Sequence, residues 1–241
     1  MISITFRDEL IDGIKNPGKT FDFQNGQIVG LFGKNGSGKT TLLKTIMGMP
    51  PFNDDLTSRM IDGKPFSKKN LEDMVYITDG LFLYDDMNAC DHGNFFAAFH
   101  KKFNMERFDK LIELFELDPY MPVKKYSKGQ RSKLELALGF SKGAKYLLLD
   151  EPFIGNDPFM RNDFLKIMAG LLDEDSILII ATHYIEEIQN FIDRAIFMHE
   201  RRIVRDVMMD EILESGSTLM DNAKEVFEVD EDRVANLFSE E

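Results

Sequence analysis

The sequence predicts an α/β fold built around a phosphate-binding loop, and three observations carry that expectation. Gly33-Lys34-Asn35-Gly36-Ser37-Gly38-Lys39-Thr40 satisfies the pattern of Gly, four residues, then Gly-Lys-Thr. The apolar run Ile28 to Phe32 stands directly before it, and a helical pattern through Leu42, Leu43, Ile46 and Met47 directly after it. Farther on, Tyr146-Leu147-Leu148-Leu149-Asp150-Glu151 reads as a buried parallel strand with two carboxylates at its C-terminal end, which is where open α/β sheets hold ligands.

In a loop of this pattern the glycines let backbone N–H groups turn inward around phosphates. Lys39 then reaches the β- and γ-phosphates of a nucleotide, and the Thr40 hydroxyl ligates Mg²⁺. A helix running on from Thr41 aims its positive end at the same anion. The candidate nucleotide-binding residues are therefore Gly33, Lys34, Asn35, Gly36, Ser37, Gly38, Lys39, Thr40 and Thr41. Asp150 fits the acidic residue that holds Mg²⁺ opposite Thr40, and Glu151 is better placed to polarise a water. The loop alone does not choose among ATPases, GTPases, kinases and motors.

The rest of the chain supplies the frame. Ile2-Ser3-Ile4-Thr5-Phe6 alternates apolar and polar, as does the region of Phe21 and Phe23, with turn signals at Asn16-Pro17-Gly18 and Asn25-Gly26. This predicts a short N-terminal antiparallel sheet. Met49-Pro50-Pro51 stops the first helix. Arg59 to Pro65 reads as a strand and turn, and Met74-Val75-Tyr76-Ile77 as a buried strand. From Asp85 to about Lys142 the pattern becomes helical, with Phe95, Phe96, Phe99 and Phe103 and then Phe108, Leu111, Ile112 and Phe115 spaced by three and four. We read an inserted helical lobe whose aromatic residues pack internally, present a groove to a partner, or do both. Ser176 to Ala181 is another buried strand, ending in Thr182-His183; Arg194 to Met198 is a further one, and Glu225 to Glu241 reads as a strand and short helix or a frayed tail. The predicted organisation is a core of residues 1–78 and 143–241, interrupted by a lobe at about 79–142.

Composition narrows the function classes. With 241 residues, 43% of them hydrophobic, the chain can bury a sizeable core. Its formal charge of −13 argues against broad contact with a nucleic acid backbone. Cys90, the single cysteine, excludes an internal disulfide and a cysteine metal site, points to a reducing compartment, and reads as a small buried residue. No apolar run approaches the roughly 20 residues that span a bilayer, and the start MISITFRDEL has no leader pattern.

The order of these elements resembles the nucleotide-binding domain of an ABC transporter over nearly the whole chain. Beside the two motifs above, Tyr126-Ser127-Lys128-Gly129-Gln130 stands where that family has its signature, and Glu151 to Pro158 is similar to its D-loop region. His183 falls at the switch histidine. The resemblance implies ATP and Mg²⁺ as ligands and two domains sandwiching two nucleotides head to tail, each site taking its loop from one subunit and Ser127, Lys128, Gly129 and Gln130 from the other. Lys39, Glu151 and His183 are then the catalytic group, with Asp157 coupling the two sites. Thr40, Asp150 and Asp79 are the implied metal residues. The implied partners are a separately encoded permease and a second ATPase subunit, more readily an identical copy than a different chain, with no nucleic acid. The implied location is cytoplasmic, on the inner face of the membrane.

Several positions depart from the family pattern. Lys128 replaces the second signature residue, often glycine, a form similar to a subset of bacterial exporters. Asp79 stands in place of a glutamine, and Asn156 in place of the D-loop leucine. Phe6 is the candidate for stacking on adenine, whereas Phe21 and Phe23 read as strand core. Alternatives to a transporter subunit are a soluble ABC ATPase and a regulatory half-site with weak hydrolysis. One phosphate loop, rather than two, and only about 85 residues between Thr40 and Tyr126 disfavour the tandem ribosomal and DNA-repair types.

Overall fold

The computed structural model describes residues 1–6, 18–49, 57–78, 83–152, 165 and 167–227. Among these, strands β3 (Ile28–Phe32), β6 (Met74–Thr78), β7 (Tyr146–Asp150), β8 (Ile177–Thr182), β9 (Arg194–His199) and β10 (Arg202–Met208) form one sheet in the order β10-β9-β3-β8-β7-β6. All neighbours pair parallel except β10, which runs antiparallel to β9 at the edge. Every residue of β7 and of β8 is buried, the mark of strands covered on both faces. The alternating strands instead build a second, antiparallel sheet: β1 (Ile2–Phe6) pairs with β2 (Thr20–Phe23) and β4 (Thr57–Ile61), and β4 with β5 (Lys64–Pro65).

The two faces of the parallel sheet feed two cores. Helix α1 (Lys39–Met47) covers one face, where Leu42 and Leu43 meet Val29, Leu31, Leu148 and Ile179 and continue into the antiparallel sheet through Ile4, Phe6 and Phe23. The other face presents Phe32, Ile77, Leu149 and Ile180 to helices α2 (Ala89–Phe99), α3 (Met105–Leu114) and α4 (Lys128–Ser141), which lie between β6 and β7 in the chain. The side chains of Asn88 and Asn104 cap α2 and α3 by accepting from Asp91 and Arg107 N–H. His92, fully buried in α2, hydrogen-bonds to the Asn88 carbonyl and accepts from the Tyr84 N–H, which ties the segment before α2 to that helix. After β8 come the short α5 (Ile185–Ile188), then α6 (Met209–Glu214) and α7 (Leu219–Phe227).

The aromatic stripe divides. Phe108 and Phe115 are buried and Phe96 and Phe103 half-buried, while Phe99 is 70% exposed and Tyr84 56%. Other readings are corrected. Glu225 to Phe227 end helix α7, where a strand and short helix or a frayed tail is expected, and residues 228–241 lie outside the described residues; β10 follows β9 where no strand is expected. Cys90 is half-buried rather than buried, and burial pushes its thiol up. Phe6 sits in the core at 1% exposure, facing Phe21, so it offers no ring to a base. Among the described residues no helix is long and apolar enough to cross a membrane.

Phe197 on β9 joins the sheet to the C-terminal helix, its ring 5.5 Å from Phe32 and 6.1 Å from Phe227. Truncating it leaves a cavity in a fully buried position. Phe197→Ala is expected to cost about 3–5 kcal/mol in urea unfolding.

Candidate nucleotide site

The parallel register delivers every site strand to one edge. Phe32 pairs with Thr182, Asp150 with Ala181 and Thr78 with Asp150, so Gly33, His183 and Glu151 follow from neighbouring strand ends. Two residues expected at this site, Asp79 and Asp157, lie outside the described residues, as do their neighbours from 153 to 164.

The loop takes its shape from its glycines and from the β9–β10 turn. Gly38 has φ +103 and caps α1, a conformation that L side chains rarely take. At Gly33 a β-carbon would lie 2.3 Å from Ser37 Oγ and 2.6 Å from the Met198 carbonyl oxygen. Ser37 N–H donates to the Lys34 carbonyl at 3.1 Å, and Arg201 N–H to the Ser37 carbonyl at 2.9 Å, fastening the loop from outside. Lys34, Asn35, Gly36 and Thr40 are exposed, and Thr41 is half-buried.

Lys39 is only 6% exposed, yet it carries a charge into the centre of the loop. Its Nζ donates to the Gly33 carbonyl at 2.7 Å and lies 3.4 Å from Glu151 Oε1, a contact of opposite charges without hydrogen-bond geometry. The other oxygen, Glu151 Oε2, is 3.0 Å from His183 Nδ1. An ionised carboxylate only accepts, so this nitrogen carries the proton. Glu151 is held in a left-handed conformation, φ 51, by its N–H bond to the Ala181 carbonyl at 2.8 Å. Lys39, Glu151 and His183, expected separately from three segments, therefore form one chain of contacts.

Asp150 stands beside them at 5% exposure. Its Oδ2 accepts from the Tyr76 phenol at 2.9 Å, while Oδ1 is buried with no hydrogen-bond partner among the described residues. Burial, and then the Asp150 charge and hydrogen bond, push Tyr76 far above the ordinary tyrosine range, so it remains a donor. The orphaned oxygen fits a magnesium ligand. Mg²⁺ is ordinarily held by one or two carboxylates, waters and substrate phosphates, and here Asp150 with the Thr40 hydroxyl would hold it. The described residues contain no cluster of three or more acidic, His or Cys side chains that would suit an all-protein cage. Sequence reasoning missed Tyr76; the one available signal is a phenol inside an otherwise apolar strand.

Ser127 caps α4, its Oγ accepting from Gln130 N–H at 3.2 Å while Gln130 Oε1 accepts from Ser127 N–H at 2.9 Å. Ser127 and Lys128 are exposed, with Gly129 and Gln130 half-buried. Among the described residues Ser127 and Gln130 bond to one another and not to the phosphate loop. The structure thus assembles the loop, Asp150, Glu151 and His183 and leaves Ser127–Gln130 as a separate helix start.

Fold and site define a phosphate-loop protein with an added antiparallel sheet and helical segment. The chain belongs to the ABC transporter family, whose match covers residues 18–154; ATPase activity is typical of that family's ATP-binding domains. A Bacillus subtilis protein called an uncharacterised ABC transporter ATP-binding protein, YdbJ, is 32% identical over 79% of this chain and 63% of its own length. The chain thus spans just under two thirds of that relative. A solved ATP-binding subunit of an ABC transporter superposes with TM-score 0.79 at 21% identity, over 93% of this chain and 98% of the other. A dimeric ATP-binding cassette solved in a post-hydrolysis state with ADP and Pi superposes at 0.73 and 17% identity, over 87% and 99%.

Gly33→Ala is expected to cost about 1–3 kcal/mol by forcing the loop off the β9 backbone, because the obstacle includes the Met198 carbonyl. Urea unfolding and fluorescent-nucleotide titration of the variant measure the loss, and nucleotide binding should weaken with it.

Proposed function

We propose that the chain is the ATP-hydrolysing subunit of a transporter, closing as a head-to-tail dimer to drive movement, in the export direction, through a separate permease. The observation that carries this reading is the Lys39–Glu151–His183 chain of contacts, with Asp150 beside it. The γ-phosphate takes the place of Glu151 as the partner of Lys39, which frees that carboxylate to accept a proton from water while His183 keeps it oriented. Bound Mg²⁺ would neutralise phosphate charge. A positioned water and neutralised phosphate are most of what phosphoryl transfer needs.

The exposed cap at Ser127 supports the dimer. Its helix start carries positive potential suited to an anion, and that anion is a nucleotide held by the second subunit. Asp157 couples the two sites in this reading, and Asp79 makes a water-mediated metal contact. The lobe of residues 79–142 receives the permease. An apolar cavity of about 280 Å³ between α1, β6, α2 and α4, lined by Met47, Met74, Phe96 and Leu138 among others, is suited to a short apolar helix. Tyr84 and Phe99 add exposed aromatic surface from the same lobe. The protein then sits on the cytoplasmic face of the membrane. The Tyr126-Ser127-Lys128-Gly129 signature favours export.

Light scattering of Glu151→Gln with and without Mg-ATP tests this directly. ATP should convert the variant from monomer to dimer. Phosphate release should fall by about 10²–10⁴-fold relative to wild type, the usual contribution of a general base. ATP binding without dimerisation contradicts the homodimer, and unimpaired turnover removes Glu151 from the mechanism.

A further inference from the structure

We propose that Tyr76 is a positioning residue for the metal-binding carboxylate: its phenol holds one oxygen of Asp150 and leaves the other committed to the cation. The proposal rests on the Mg²⁺–nucleotide reading above. Tyr76 faces Leu148 in the β6–β7 register, and Asp150 lies two residues farther along β7 on the same face. An aromatic side chain spans that diagonal. The phenol reaches Asp150 Oδ2 at 2.9 Å.

The division between the two oxygens gives the contact its role. Both belong to a carboxylate that is 5% exposed, yet among the described residues only Oδ2 has a donor. A buried carboxylate oxygen with no donor is costly, and twisting the group away from this orientation would break the phenol bond and turn the open oxygen off the cation. The phenol holds the group against that twist. Removing it orphans both oxygens and lets the carboxylate turn, so metal affinity falls while the loop, which grips phosphate by other atoms, is untouched. Partners of this kind behind metal ligands typically contribute about 10–100-fold in affinity.

The test is Mn²⁺ binding followed by electron paramagnetic resonance, in the presence of a non-hydrolysable ATP analogue, for wild type, Tyr76→Phe and Asp150→Asn. Analogue binding in EDTA is measured alongside. Tyr76→Phe should match wild type in EDTA but bind Mn²⁺ about 10-fold more weakly, and 4-aminophenylalanine at position 76, which restores a donor, should recover the loss. If Asp150→Asn loses Mn²⁺ and Tyr76→Phe does not, the positioning role is overturned and the metal reading stands. If neither variant changes Mn²⁺ binding, the metal reading falls and the proposal with it. Should Tyr76→Phe fail to bind the analogue in EDTA, 4-methylphenylalanine and 4-aminophenylalanine at position 76 are compared instead. A weaker Mn²⁺ affinity for the methyl form supports the role, and equal affinities overturn it.

Discussion

The parallel pairing of β3, β8, β7 and β6 is the constraint on which the site depends. Parallel strands point all their C-terminal ends one way, so residues far apart in the chain emerge at a single edge. Gly33, Glu151 and His183 meet because Phe32 pairs with Thr182 and Asp150 with Ala181. Slipping one strand by one residue would turn its side chains to the opposite face, exchanging Asp150 with an apolar neighbour and burying the carboxylate among the helices. The covered strands resist such a slip because both cores read their alternation: Leu148 faces α1, and Leu147 and Leu149 face α2–α4.

Electrostatics then accounts for the contents of the edge. A lysine at 6% exposure is costly unless its charge is met, and Lys39 has the Gly33 carbonyl and Glu151 near it. The pairing is incomplete by hydrogen-bond geometry, and among the described residues Asp150 Oδ1 has no donor. Such groups are destabilising in a sealed core, whereas at this edge a polyanion would meet the charge of Lys39 and a divalent cation the open oxygen of Asp150. The same reasoning separates this edge from the apolar cavity beside α4, which suits a hydrophobic surface rather than a phosphate.

Much of this was legible in the sequence because it rests on local chemistry. The loop, α1, the buried strands and the Ser127 cap are each specified within a few residues, by glycines, by periodicity or by the Ser-x-x-Gln box. What was not legible depends on pairing between distant segments or on weak patterning. The Tyr76–Asp150 bond joins residues 74 apart and requires the strand register. Strand β10 buries only Ile203 and carries Arg202, Arg205 and Asp206, so its sequence shows charge where the structure has an edge strand. The candidacy of Phe6 as a base-stacking ring failed for a related reason, since β1 alternation predicts an inward side chain and the antiparallel sheet completes its burial.

Lys39, at the heart of the loop, is the group this arrangement aims at the nucleotide. Calorimetric titration of ATP into wild type and Lys39→Ala, with unfolding curves for both, measures that grip. ATP should bind wild type saturably and at least about tenfold more weakly in Lys39→Ala, the scale of losing one charge-assisted contact with a phosphate, without loss of folding. Equal affinities in the two proteins would contradict it.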